Sequence, residues 1–160
     1  MALNIGKQFI KGQRVAVHAA ALESINATDY QPTGYLFSQA SIEEVDAAAQ
    51  AAEAAFVLYS QTSQEQRAGF LDEIAVEIEA LGASLQEVAS LETGLPLARL
   101  QGETGRITGQ LRLFAQLLRR GDFYAARIDP ALPDRKPMPR VDLRQYKVGL
   151  GPVAVFGASN

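Results

Sequence analysis

The stretch that most constrains the fold of this chain is Val153–Phe156, the run Val-Ala-Val-Phe, introduced by Gly151 and Pro152 and closed by Gly157. It is apolar at every position and rich in β-branched and aromatic residues. It therefore reads as a strand buried on both faces, as inside a parallel α/β sheet. Ligands of such sheets sit just beyond the carboxyl ends of the strands. Here that place is held by Gly157, Ala158, Ser159 and Asn160, three small residues and then an amide. A plain strand-to-loop turn is the simpler alternative. The glycines at 149, 151 and 157 do not make the spacing of a dinucleotide fingerprint, so no phosphate cradle is read from them.

The chain before this strand reads mostly as helix. Ser41 and Glu44 have the spacing of a capping box, and Ile42, Val45, Ala49, Ala52 and Phe56 follow on one narrow stripe. Ser63 and Gln66 repeat the box ahead of a second helix with apolar Phe70, Leu71, Ile74, Ala75, Ile78 and Leu81. Asp72, Glu73, Glu77 and Glu79 lie off that stripe and read as a solvated face. Gly82 marks its end. A short helix from about Ser84 to Glu92 stops at Gly94 and Pro96. The longest helix is expected from Leu97 to Arg120, with Leu97, Leu100, Thr104, Ile107, Leu111, Phe114 and Leu118 on one seam. Gly102, Gly105 and Gly109 interrupt it, each costing ~1 kcal/mol relative to alanine. Such a cost implies an element packed closely against that side, which favours a helix inside a domain over a free zipper.

Shorter pieces flank the helices. Gln8–Ile10 and Gln13–Val17 resemble a hairpin turning at Lys11 and Gly12. Ser24–Thr28 is a second extended piece, and Gln31–Gly34 carries a turn signal. Phe123–Ile128 and Val141–Val148 look like half-polar strands of a partly exposed hairpin. Between them, Asp129–Pro139 holds four of the seven prolines and reads as an exposed connection.

Charge and composition narrow the functional classes. Residues 1–118 carry seven Lys and Arg against fourteen Asp and Glu, whereas residues 119–147 carry eight against four. The basic segment has no periodic basic face and few aromatics for stacking bases, so a solvated loop or subunit contact fits it better than nucleic acid. There is no cysteine, which excludes disulfides and a thiolate nucleophile within these residues. His18 is the single histidine and cannot make a metal site alone. No stretch approaches the ~20 apolar residues of a membrane span, and no signal-peptide pattern opens the chain, so a cytoplasmic protein is expected.

Three segments carry a family resemblance: Gly151–Asn160, Ala98–Glu103 and Gly109–Ala115. They resemble the aldehyde dehydrogenase superfamily, and more narrowly its branch acting on 2-oxoglutarate semialdehyde (2,5-dioxovalerate) and fatty aldehydes. The Ser41 helix is similar to a family helix beginning Ala-Ser-x-Glu-Asp-Val-Asp. Glu92–Pro96 is similar to a Glu-x-Gly-Lys-Pro segment, with Leu95 in place of the lysine. The stretch Asn26–Gly34 matches loosely, carrying extra residues.

The resemblance implies an α/β fold, in which N-terminal helices pack on a parallel dinucleotide-binding sheet and an antiparallel oligomerisation hairpin protrudes. Residues 1–121 would form the arm and helices, 122–151 the hairpin, and 152–160 the first strand of the cofactor sheet. It implies NAD or NADP as cofactor, an aldehyde or semialdehyde as substrate, and a homo-oligomer built through residues 122–151. A cysteine thiolate would add to the aldehyde, hydride would pass to the nicotinamide, and glutamate-activated water would release the acid. That cysteine and that glutamate fall beyond the position of Asn160 in the family, so these residues alone are expected to be inactive. Asn160 would donate its amide N–H to the oxyanion, while Gly157, Ala158 and Ser159 would let the cofactor approach the backbone. A non-catalytic helical interaction module, or an inactive truncated reading frame, is the alternative. It accounts for the missing cysteine, but poorly for a doubly apolar strand leading to an asparagine.

Overall fold

The computed structural model describes residues 4–15 and 21–157. It is mixed α/β: five short strands, three helices and a second strand pair. The strands β1 (Asn4–Gly6), β2 (Gln8–Ile10), β3 (Gln13–Val15), β4 (Ala21–Ile25) and β5 (Pro32–Ser38) come first. The expected hairpin is β2–β3, with Gln8 opposite Val15 and Ile10 opposite Gln13. Its turn residues Lys11 and Gly12 both have positive φ, a conformation glycine adopts without steric cost. In a separate sheet β5 lies between β4, its antiparallel neighbour, and β1, its parallel one.

The turn expected at Gln31–Gly34 lies earlier in the chain, and Pro32–Gly34 belong to β5 instead. The Tyr30 N–H donates to the Asn26 carbonyl at 2.9 Å. The side chains of Asn26 and Asp29 accept from the Thr28 and Gln31 amides at 2.8 and 3.0 Å. Asn and Asp fix the turn through these local bonds, and Pro32 takes the first position of a strand, where proline is tolerated.

Both capping boxes form. In α1 (Ile42–Tyr59) the Ser41 hydroxyl accepts from the Glu44 amide while Glu44 Oε2 accepts from the Ser41 amide. In α2 (Gln64–Thr93) Ser63 and Gln66 make the same reciprocal pair. Gly82, at φ 49° and ψ −129°, breaks α2 where the sequence places a helix end. Gly94 closes it in the left-handed conformation, its N–H bonded to the Ser90 carbonyl at 2.8 Å.

The helix α3 (Leu97–Arg120) folds back along α2, and this pair is the centre of the molecule. Ala68 and Ala75 of α2, with Thr108 and Ala115 of α3, are almost free of solvent. Leu100, Thr104, Leu111 and Leu118 of the expected seam are half-buried, but at two positions the buried line is shifted by one residue. Ile107 and Phe114 are each 47% exposed, while their neighbours Thr108 and Ala115 occupy the middle. Small side chains let two helix backbones approach, so the larger residues are left on the flanks. The expectation that Gly102, Gly105 and Gly109 are tightly packed is not met among the described residues. A Cβ at any of the three would meet nothing within 4 Å.

Three acidic residues, two of which the sequence suggested were merely solvated, instead join the two helices. Arg112 donates to both carboxylate oxygens of Glu79 at 2.6 and 2.8 Å. Arg119 donates to Glu65 and, at 2.9 Å, to Asp72. The α1 stripe is only partly used: Phe56 is half-buried, whereas Ile42 and Val45 are exposed.

Residues 121–157 differ from expectation in regularity. Asp122–Tyr124 is a single 3-10 turn, and pairing is confined to β6 (Arg127–Asp129) and β7 (Leu143–Gln145). These strands are antiparallel, with Arg127 opposite Gln145 and Asp129 opposite Leu143. The proline-rich connection is exposed, as expected, and closes on itself through Leu132 and Arg140. Val153–Phe156 has no strand partner among the described residues, and Val155 and Phe156 are 88% and 93% exposed. A strand needs neighbours to hold its ladder, and the only parallel pair described here is β1–β5, at the opposite end of the chain.

Candidate functional site

The approach to the expected site is built by the chain leaving β7. The Lys147 N–H donates to the Tyr124 carbonyl at 2.9 Å and ties residues 146–149 to the 3-10 turn. Gly149 then passes the Phe56 ring of α1, where a Cβ would stand in ordinary contact at 3.4 Å. Gly151 follows at φ 117°, a conformation that L side chains rarely adopt. Backbone conformation thus explains glycine at 151, whereas a side chain at 149 would meet only ordinary contact.

Beyond Pro152 the apolar run leads out to Gly157. Gly157 is exposed and has open space where a side chain would stand, so its backbone is accessible to a ligand. Ala158, Ser159 and Asn160 fall outside the described residues, as does His18. Of the four expected site residues, then, only Gly157 has a described position, and its surroundings leave the chemistry of the other three open.

No group of three or more His, Cys, Asp or Glu among the described residues could hold a metal. Charged groups with shifted titration lie elsewhere, on the α2–α3 pair. Arg112 holds Glu79 down to about 2, chiefly through its hydrogen bonds, with a further one from Thr108. Glu65 is lowered by its hydrogen bonds from Arg119. These four side chains are engaged in ion pairs across the two helices.

Sequence reasoning missed a second constellation. A cleft of about 670 Å³ lies between the end of α1, the start of α2, the 3-10 turn and residues 146–149. Arg67, Tyr124, Tyr146 and Lys147 line it together with Phe56 and Phe123. Arg67 occupies an ordinary polar position on its helix, and its partners are more than fifty residues away. No spacing in the sequence marks them as a group.

Fold and sequence together place the chain in a class: it belongs to the aldehyde dehydrogenase family, whose sequence profile matches residues 15–157. Within that family it is 76% identical over 160 residues to the alpha-ketoglutaric semialdehyde dehydrogenase of Acinetobacter baylyi. It is 51% identical over 156 residues to alpha-ketoglutaric semialdehyde dehydrogenase 2 of Azospirillum brasilense. The first match covers 100% of this chain and the second 97%, but the chain spans only 30% of the length of either relative. Among solved structures, an NAD-dependent benzaldehyde dehydrogenase from Corynebacterium glutamicum superposes with a TM-score of 0.70 at 25% identity. That match covers 82% of this chain and 27% of the other. No helix among the described residues is long and apolar enough to cross a membrane.

Proposed function

We propose that this chain is the N-terminal part of an NAD(P)-dependent dehydrogenase that oxidises an aldehyde to a carboxylate, with 2-oxoglutarate semialdehyde as the favoured substrate. The observation that carries the reading is the 76% identity, unbroken over the chain, to an alpha-ketoglutaric semialdehyde dehydrogenase. NAD or NADP, when bound, supplies the hydride acceptor.

The contribution of these residues is positional. Gly157, Ala158 and Ser159 present backbone without bulk, so the cofactor can lie against the main chain. Asn160 would supply its amide N–H to the aldehyde oxygen. As a thiolate from elsewhere in the intact protein adds to the carbonyl carbon, negative charge gathers on that oxygen. A fixed donor there stabilises the transition state more than the ground state. The strap from Lys147 to Gly151 sets the path of this segment through its bond to Tyr124 and its passage over Phe56.

The hairpin β6–β7 is the proposed contact between subunits of a homo-oligomer. Its support is its exposed apolar residues, including Ile128, Leu143 and Tyr146, on a two-stranded ribbon with both edges free among the described residues.

The test is steady-state kinetics on the intact protein. Reduction of NAD or NADP with 2-oxoglutarate semialdehyde is expected at a kcat/KM well above that for acetaldehyde or benzaldehyde. No reduction of either nucleotide with any of the three would sink the proposal. Turnover confined to benzaldehyde would leave the family chemistry standing and remove the substrate assignment.

A further inference from the structure

The cleft beside Arg67 has features of a ligand pocket that the proposed oxidation does not use. The guanidinium of Arg67 is half-buried, and its Nε–H is buried without an acceptor. One terminal nitrogen donates to the Tyr124 hydroxyl at 3.2 Å. Its neighbours in sequence and space offer it no carboxylate. Glu65 is occupied by Arg119 and Asp122 by Arg120. A buried N–H on a charged group is costly to leave unpaired, and the fork of an arginine suits a two-oxygen acceptor. Lys147 adds a second positive charge to the wall, and no Asp or Glu lines the cleft. The remaining walls are the rings of Phe56, Phe123, Tyr124 and Tyr146, with the Phe123 and Tyr124 centroids 4.2 Å apart. At about 670 Å³ the space is that of a small-molecule site.

We propose that this cleft binds a carboxylate, held by Arg67 with Lys147 supplying further positive charge, its apolar body lying against the four aromatic rings. The carboxylate has two possible sources, a free small acid or an acidic side chain of the protein itself, and the chemistry of recognition is the same for both. Gly157 is not among the lining residues, and the proposal stands whether or not the chain serves aldehyde oxidation.

Benzoate is a suitable probe, since it joins a carboxylate to one aromatic ring. It is titrated calorimetrically into the intact protein, its Arg67→Gln and Lys147→Gln variants, and a control, Arg106→Gln, which alters only an exposed ion pair. A crystal structure of the intact protein grown with benzoate locates the group at Arg67. For a free acid, benzoate lies on Arg67, and its affinity falls about tenfold or more in Arg67→Gln. It falls less in Lys147→Gln and is unchanged in the control. For a source within the protein, an Asp or Glu oxygen occupies the Arg67 fork and benzoate does not bind there. Two results overturn the proposal: main-chain carbonyls alone, or no acceptor, at Arg67, or benzoate seated at Arg67 yet bound equally by the parent and both cleft variants. If Arg67→Gln fails to fold, the Lys147→Gln titration and the parent crystal structure still decide between these outcomes.

Discussion

Asn160 and the glycines before it show how much one position can decide. Asparagine is both a good oxyanion donor and a preferred helix N-cap, so two roles compete for Asn160. The substitution Asn160→Asp in the intact protein separates them, because aspartate caps about as well but presents a carboxylate to a developing negative charge. A drop of about 10²–10³ in kcat is expected, the typical cost of losing one oxyanion donor. The melting temperature should stay unchanged. Retained activity would leave Asn160 a cap and nothing more. Gly94 gives a structural counterpart. It ends α2 at φ 71° and ψ 7°, where a Cβ would make only ordinary contact with Ala27 at 3.5 Å. Gly94→Ala should therefore cost about 1–2 kcal/mol from backbone conformation rather than from crowding. Chemical denaturation with an unchanged m-value would check it. Positions such as Gly94, Ser41 and Ser63 were legible in the sequence because their roles are local: a cap or a stop involves residues within one helical turn. Arg67 was not legible, because its meaning comes from Tyr124 and Lys147, and only the fold brings those together.

At the scale of elements, periodicity and caps marked four helical segments, two of which run on as α2 across the break at Gly82, and small residues decided how α2 and α3 meet. The apolar stripe drawn through Ile107 and Phe114 was one residue away from the buried line through Thr108 and Ala115. Hydrophobicity ranks side chains by their affinity for an interior, whereas a close helix crossing selects for lack of bulk. The acidic face of α2 was misread for a related reason: a charge pattern within one helix says nothing of the arginines another helix will present. Those pairs make the α2–α3 contact pH-dependent. Glu79 has a folded value of about 2, below its ordinary 4.5, because Arg112 hydrogen-bonds its charged form. Its contribution is thus fully present above about pH 4.5 and is lost as the pH falls toward 2. Glu79→Gln should lower the urea midpoint of the intact protein near neutrality. The gap between parent and variant should narrow at about pH 3, where the parent carboxylate is losing its advantage. A gap of constant size would assign the effect of Glu79 to packing. Exposed pairs contribute modestly, so the change in the gap is the diagnostic quantity rather than its size.

For the molecule as a whole, the question is what its uncovered apolar surface meets. Val153, Val155 and Phe156 stand exposed at one end, and Ile128, Leu143, Tyr146 and Val148 along the hairpin. Two surfaces of this kind call for different partners. The hairpin is a ribbon whose edges are unpaired among the described residues, and the proposed assembly would add it to the sheet of a second copy. Removing Pro130–Pro139 from the intact protein shortens the exposed connection without touching α1, α2 or α3. The sedimentation coefficient should fall toward that of a smaller assembly while helical circular dichroism stays the same; unchanged sedimentation would separate the hairpin from assembly. The run Val153–Phe156 is apolar on both faces and therefore needs sheet neighbours on both sides and cover above and below. Among the described residues nothing supplies that cover, and the 160 residues contain no thiol. A polypeptide of just these residues should reduce neither NAD nor NADP with any aldehyde, because no cysteine is present to add to the carbonyl. It should also associate through the exposed run, since contiguous apolar surface on an unpaired extended segment seeks a partner. Replacing Val155 and Phe156 together by lysine should then restore a monomer in light scattering without restoring turnover. A monomeric parent of the same mass would show that the run finds its cover within these residues, and turnover by it would require a nucleophile other than cysteine.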